Sequence, residues 1–409
     1  MANDLAASFP EYWSRRMQLK LKKTKVYRMI ANFEEVGTLK NGDTVHRPYR
    51  GSLAVNELGS EGSYTRQTIS DSDEYLTIDQ KPEVSFYIQE PDEIQSNYKS
   101  ANLYADDAAD KLGDWIDGKI LGEYDQADSV VDNYAMGGGG SASDGIGFTL
   151  SDSNIVKALG RIMKKFNRLN VPLADRWGAI SPDFYNELWT FIAGKESLLG
   201  DKTGENGNIG SYGGFKLYLS NACGWSARLE FGTLPTDGDT VVINGVTYTF
   251  KDSIGTTAGN VHIGGSTAAL ALDNLVTSIN APGTSVTEVT ANVGFVALTE
   301  ANQALMKGIT ATDGTTYMTL KATGRSYVAV SETLTAPADI WTTTKQLQHN
   351  LFGQGRPTDL VIQKAINLKI KDRDGYLGKD FVSWGLFGKK TFDEGDAKLA
   401  DLQIRSDAF

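Results

Sequence analysis

An α+β fold interrupted by a small β-rich module is what this sequence predicts, and three observations carry that reading. Apolar residues recur at steps of three or four from Ile94 to Tyr124, the signature of one long amphipathic helix. Stretches of large and β-branched residues with strand character lie before that helix and again near the end of the chain. Between Phe231 and Ile340 the only basic residues are Lys251, Lys307, Lys321 and Arg325 while Thr becomes the dominant polar residue, so a module of different composition divides the surrounding domain.

Composition sets the bounds. A chain of 409 residues, 40% of them hydrophobic and 10% aromatic, has room for two or three domains of about 150 residues with a sizeable core. A net charge of −11 argues against a dedicated nucleic-acid binder, because neutralising phosphates takes a basic face. The single Cys223 excludes an intrachain disulfide and a cysteine-built zinc cage, which fits a reducing compartment. No run of about 18 apolar residues occurs, and the first residues lack a basic stretch followed by an apolar one, so neither a membrane span nor a secretion signal is expected.

Taken in order, the chain opens on a basic run in which Arg15, Arg16, Lys20, Lys22, Lys23, Lys25 and Arg28 are met only by Glu11. Such a run is either a solvated face or a contact with nucleic acid or an acidic partner; Tyr12, Trp13, Met17, Leu21 and Val26 beside it suggest an arm that docks. An extended run begins at Thr44-Val45 and is cut by Pro48, which points to a sheet edge or a turn. Gly51 to Asp73, rich in Gly, Ser and acids, reads as a long loop or open hairpin, and Glu74–Ile78 and Val84–Ile88 as strands. Pro91-Asp92-Glu93 starts the long helix, whose Asp106, Asp107, Asp110, Asp114 and Asp117 read as a solvated face; Gly113, Gly118 and Gly122 weaken its second half and allow a bend. Gly137 to Gly140 form a flexible linker without the Lys-Ser or Lys-Thr pair a phosphate loop requires. Ser151 then caps an amphipathic helix with Ile155, Leu159, Ile162, Phe166 and Leu169 on its apolar side.

Val171 to Asn221 forms a compact α/β unit. An apolar strand from Trp177 to Ile180 ends at Ser181-Pro182-Asp183, where a capping hydroxyl, a fixed φ and a negative charge together start a helix to Ala193. A Gly-rich loop leads to a second strand, Phe215 to Leu219. In the Thr-rich module Asn244-Gly245 joins Val241–Ile243 to Val246–Phe250 as a hairpin, a helix fits Ser266 to Asn280, and strands fit 285–290, 295–299 and 317–323. Leu360–Ile362, Ala365–Ile370 and Phe381–Gly388 close the chain as strands.

No chemistry converges in this pattern. His46, His262 and His349 are the only histidines and lie far apart, so a Ser-His-Asp or metal site built on them is disfavoured. Cys223 reads as a buried structural thiol. Catalytic residues, cofactors and metals are therefore all expected to be absent, and the chain is read as no enzyme.

The residues do resemble a family. The order Gly42-Asp43-Thr44-Val45, Thr68-Ile69-Ser70, Leu76-Thr77-Ile78-Asp79-Gln80, Val84-Ser85-Phe86, Asp92-Glu93-Ile94-Gln95-Ser96 and Tyr104-Ala105-Asp106-Asp107-Ala108-Ala109 resembles tailed-phage major capsid proteins, the coat-protein branch of the Hong Kong 97-like fold. By that resemblance, residues 1–42 are an N-terminal arm, 43–90 the extended loop with its flanking strands, and 91–148 the peripheral domain with its spine helix. Residues 149–227 are the axial domain, 228–345 the insertion domain and 346–409 the return to the axial and peripheral domains.

The implied function is structural: hexamers and pentamers of an icosahedral head enclosing double-stranded DNA without sequence specificity, located in the virion and assembled in the host cytoplasm. Implied partners are further copies of the chain, a portal protein and a separate scaffolding protein, since only about forty residues precede Asp43, too few for a domain; decoration proteins also have room. Arg50, Glu57, Glu61, Arg66, Asp71, Asp73, Gly207 and Tyr212 are the expected inter-subunit contacts, and Arg15, Arg16, Lys20, Lys22 and Lys23 are expected to face lumen or scaffold. No Lys lies between Asn41 and Gln80, so the loop lysine used by members that cross-link their subunits is missing. An alternative is a carbohydrate-binding or adhesin-type phage structural protein acting through the Thr-rich module, with Tyr248, Tyr317 and Tyr327 as its aromatic platform; a hydrolase would need an acid/base site that the sequence does not offer.

Overall fold

A computed structural model describes residues 22–33, 42–51, 53–58, 62–64, 66–69, 71–90, 100–141, 144–195, 209–263, 265, 267–288, 293–336, 339–372 and 376–405. A helical turn, Tyr27–Ile30, runs into β1 (Ala31–Asn32), and β2 (Thr44–Arg50) pairs antiparallel with β3 (Asp71–Thr77) from Thr44↔Thr77 to Arg50↔Asp71. Pro48 does not cut β2 but lies on a sheet edge, one of the two places expected for it. A two-stranded ribbon turns alternate amides outward, so the missing donor is tolerated there. After β4 (Glu83–Gln89) the long helix is described over Ser100–Leu121 and tightens into a 3-10 turn at Gly122–Gln126; residues 91–99, where its start is expected, lie outside the described residues.

Gly118 serves close approach: a Cβ there would lie 2.7 Å from the Gly324 Cα of the Thr-rich segment. Following β5 (Ser129–Val131), the amphipathic helix spans Ile155–Arg168 with Asn154, not Ser151, as its first flanking residue. Ser151 instead opens the preceding turn, its carbonyl accepting the amides of Asn154 and Ile155. Ile155, Leu159, Ile162 and Phe166 are buried, whereas Leu169 lies past the last turn and is exposed.

The Val171–Asn221 unit folds as read: β6 (Arg176–Ile180), the helix Pro182–Ala193 with the Ser181 hydroxyl accepting the Phe184 amide, β7 (Ser211–Tyr212), and β8 (Phe215–Leu219) parallel to β6. β9 (Gly224–Glu230) follows directly. The Asn244-Gly245 turn has φ of +51° and +80°, the two positive values a type I′ hairpin requires, between β10 (Thr240–Ile243) and β11 (Val246–Lys251). Then come β12 (Asn260–His262), the helix Ala268–Asn280, β13 (Val286–Glu288), β14 (Val293–Phe295) and a helix Glu300–Met306. That last helix is capped by Thr299, a residue the sequence pattern places in a strand. β15 (Ile309–Asp313), β16 (Tyr317–Ala322), β17 (Val330–Glu332), β18 (Leu347–Gln354), β19 (Thr358–Asp372), β20 (Gly378–Thr391) and β21 (Leu399–Arg405) complete the chain.

These strands form one four-stranded sheet (β1-β19-β20-β4), one six-stranded sheet (β13-β14-β12-β11-β10-β17) and a nine-stranded sheet. The large sheet runs β15-β16-β9-β18-β6-β8-β7, with β21 on β18 and β5 on β21. The Thr-rich segment thus supplies the six-stranded sheet and also extends the large one through β15 and β16, and a single core containing Trp225, Phe231, Tyr248, Phe250 and Leu275 joins both. A second core lies between the large sheet and the helices Ile155–Arg168 and Pro182–Ala193. A third, with Ile116, Ile120, Trp177, Leu351 and Phe387, packs the long helix where the large and four-stranded sheets meet. β19 and β20 are the 15- and 14-residue limbs of one hairpin; register shifts after Ile362 and Lys364 explain why the sequence reads as two strands there.

Candidate assembly surfaces

The β2–β3 hairpin is rooted firmly and left bare at its far end. At the root the Arg47 guanidinium forms an ion pair with the almost fully buried Asp359, 2.6 Å away, and sits 4.4 Å over the Phe392 ring. Glu74 pairs with Lys390 at 3.2 Å and accepts the Asp393 amide at 3.1 Å, while Leu76 and Ile78 bury against Val361 and Phe392. Farther out, the Gln67 side-chain amide bonds both the amide and the carbonyl of Ala54, bracing the loop's two limbs. Beyond these contacts Leu53, Leu58, Tyr64 and Ile69 are each about two-thirds exposed or more, and Val55 is 100% exposed. Arg50, Glu57, Arg66, Asp71 and Asp73 are exposed along this projection, with Asp73 held by His46 at 2.7 Å; Glu61 lies outside the described residues. Burying one large apolar side chain contributes about 1.5–3 kcal/mol, so these five exposed side chains leave that contribution unused in the isolated chain.

Two further expected contact regions are only partly described. Tyr212 is half-buried in β7, beside a Gly213-Gly214 turn with φ of +60° and +81°, and Gly207 lies outside the described residues. Of the basic run, Lys22 and Lys23 are exposed and Lys23 donates to the Gly324 carbonyl, whereas Arg15, Arg16 and Lys20 lie outside. The acidic face of the long helix differs from expectation. Asp117 is buried and its carboxylate accepts the amides of Val26 and Tyr27 at 2.8 and 2.7 Å, while Lys25 pairs with Asp110 and Asp114. Burial pushes the Asp117 carboxyl above the usual range. Lys25 of the arm and the acids of the helix thus fasten to each other, a pairing across 85 or more positions that periodicity alone does not show.

One constellation does assemble that the sequence leaves scattered. His349 on β18 lies 2.8 Å from Asp401 Oδ2 on β21 and 2.8 Å from Ser226 Oγ on β9, so hydroxyl, imidazole and carboxylate form a chain across three neighbouring strands. All three are buried, and the Tyr124 ring stacks on the imidazole with centroids 3.8 Å apart. A nucleophile needs an approach path and free amides for the developing oxyanion. Here Tyr124 covers the imidazole and the flanking backbone is paired in the sheet, so the chain acts as a cross-strand pin. Cys223 is buried beside it, and burial pushes its thiol well above the usual value. Tyr248, expected on an exposed aromatic platform, belongs to the core of the Thr-rich segment, and Tyr317 is half-buried under the Arg228 guanidinium.

Beside the hairpin root, burial together with Asp393, Glu74, Glu123 and Asp128 pushes the Asp396 carboxyl up to about 6. A carboxyl whose folded pKa lies above its unfolded value disfavours folding once it ionises, so its contribution to stability is lost as pH rises through 6 and regained toward 4. Asp396→Asn should therefore stabilise the protein at pH 7.5 by about 1 kcal/mol after solvent screening, with little effect at pH 4.5. Thermal midpoints at the two pH values check this, and equal shifts at both would refute it.

No family model matches the chain, and no curated protein matches it in sequence. Solved structures do. A chain from Mycobacterium phage Che8 is similar at 14% identity with a TM-score of 0.53, covering 96% of both chains. One from the capsid structure of the Cyanophage P-SCSP1u is similar at 11% identity and a TM-score of 0.55, covering 100% of this chain and 96% of its own. One from the asymmetric unit of the bacteriophage PhiM1 mature capsid is similar at 9% identity and a TM-score of 0.52, covering 98% and 93%. Over nearly its whole length, the chain has the fold found in these phage structures, two of which are of capsids.

Proposed function

We propose that the chain is the major coat protein of a tailed-phage head, a structural subunit that self-assembles into hexamers and pentamers of an icosahedral shell around double-stranded DNA. The observation that carries this reading is the rigidly rooted hairpin whose loop holds Leu53, Val55, Leu58, Tyr64 and Ile69 away from the body. A bare ribbon and an apolar loop are liabilities in a monomer and become interfaces in a closed assembly. The shared fold supports the same reading. In it, 43–90 overlap a neighbour, the long helix is the spine of the peripheral domain, and 149–227 with the returning strands form the axial domain around the capsomer centre. The Thr-rich 228–345 form an inserted domain fastened to the spine at Gly118 and Gly324.

Arg50, Glu57, Glu61, Arg66, Asp71, Asp73, Gly207 and Tyr212 are the proposed inter-subunit contacts, and the basic arm faces lumen or scaffold. A separate scaffolding protein and a portal protein complete the assembly, with room left for decoration proteins. An acidic shell of −11 per subunit suits a container from which DNA must slide freely. Sedimentation of the purified protein tests the reading: fast-sedimenting particles are expected, and a stable 44.4 kDa monomer at all concentrations would overturn it. Because the 41–80 segment holds no lysine, boiling these particles in SDS under reducing conditions should release 44.4 kDa chains. A ladder of covalent multimers would contradict that expectation.

A further inference from the structure

A cavity of about 320 Å³ opens where the Gly-rich turn, the start of the helix Ile155–Arg168 and the end of β21 meet, lined among others by Asn133, Gly137, Gly138, Thr149, Lys157 and Arg405. Among the described residues no carboxylate lines it, although the chain as a whole is acidic. Lys157 donates to the Met136 carbonyl and the Arg405 Nε to the Gly147 carbonyl, so neither cation has an ion pair among the described residues. The two terminal nitrogens of Arg405 have no hydrogen-bond partner among the described residues. Asp132 and Asp144, on the same loop, are occupied by the amides of Ala135 and Ser141. The helix's own first turn contains no acidic residue and carries Lys157, while Asp152 lies exposed in the turn just before it. Two cations gathered in one concavity, met among the described residues only by carbonyls, form a positive field that an oxyanion would relieve.

We propose that this cavity is an anion-binding site that takes a phosphoryl group, gripped by the Arg405 fork and by Lys157. An arginine fork matches two oxygens of a phosphate, and Lys157 supplies a point charge from the helix side. A free phosphate and a nucleic-acid backbone phosphate offer the same chemistry, and the test separates them.

The full-length protein is titrated calorimetrically at low ionic strength with inorganic phosphate and, separately, with a short oligothymidylate. The variants are Arg405→Gln, Arg405→Lys and Lys157→Gln, with the exposed Lys195→Gln as control. Phosphate should bind, with affinity reduced about tenfold or more by Arg405→Gln and Lys157→Gln, less by Arg405→Lys, and not at all by Lys195→Gln. Oligothymidylate binding with the same dependence would identify a polymer phosphate as a source, and phosphate binding alone a free anion. No phosphate binding by the parent, or equal binding by Arg405→Gln and Lys157→Gln, would overturn the proposal. If Arg405→Gln alters the circular dichroism spectrum, Lys157→Gln decides, because Lys157 is exposed on the helix surface.

Discussion

Replacing Leu53, Val55, Leu58 and Tyr64 together by Ser should leave a folded subunit that no longer forms particles. These side chains contact little in their own chain, so their removal costs the isolated fold almost nothing. In an assembly each would contribute about 1.5–3 kcal/mol of apolar burial, and the loss is repeated at every interface of a closed shell. Circular dichroism should therefore match the parent while the fast-sedimenting boundary disappears. Parent-like particles from the substituted chain would show that this loop is not the interface.

The second large effect lies in the sheet that positions everything else. Phe352 on β18 stands directly opposite Gly178 on β6, and the next pair reverses the sizes, Gly353 facing Trp177. A Cβ on Gly178 would come within 2.4 Å of the Phe352 ring, and one on Gly353 within 2.4 Å of Trp177, so each large ring occupies the space a glycine leaves. The Phe352 ring also meets Phe215 and Phe184 edge-on at 5.4 and 6.4 Å. Phe352→Ala should cost about 3–5 kcal/mol by removing contacts at a site where backbone on the opposite strand cannot move in. Urea unfolding of the unassembled protein measures it, and a loss under about 1 kcal/mol would mean that the sheet repacks freely.

Legibility in the sequence followed the range of the interactions. Ser181-Pro182-Asp183 and Asn244-Gly245 act within a few residues of themselves, so the helix Pro182–Ala193 and the hairpin β10–β11 are both readable and both present. β18 and β21 are not readable, because their buried positions carry Gln348, His349, Asn350 and Asp401. Those polar groups are tolerated in a core only through partners far along the chain: Asp183 for Gln348, Ser226 and Asp401 for His349, and the Ser181 amide for Asn350. Asp117 escaped for the same reason, since its helical spacing is that of a solvated face and its ligands are the amides of Val26 and Tyr27. Leu169 and Ser151 show the lesser error of a helix boundary misplaced by a turn, where side-chain pattern competes with local capping geometry. The candidate surface sits between these cases. Gly51 to Asp73 is legible as a loop or open hairpin because it cannot bury itself, and β3 takes only its last three residues, but no local pattern says what its exposed apolar side chains would meet.

The most direct measurement is a cryo-electron microscopy reconstruction of the particles formed by the purified protein. The account predicts a closed icosahedral lattice in which residues 51–70 of each subunit lie across its neighbour, with Leu53, Val55 and Tyr64 buried at that contact. Discrete small oligomers, or shells in which this loop stands free in solvent, would contradict it.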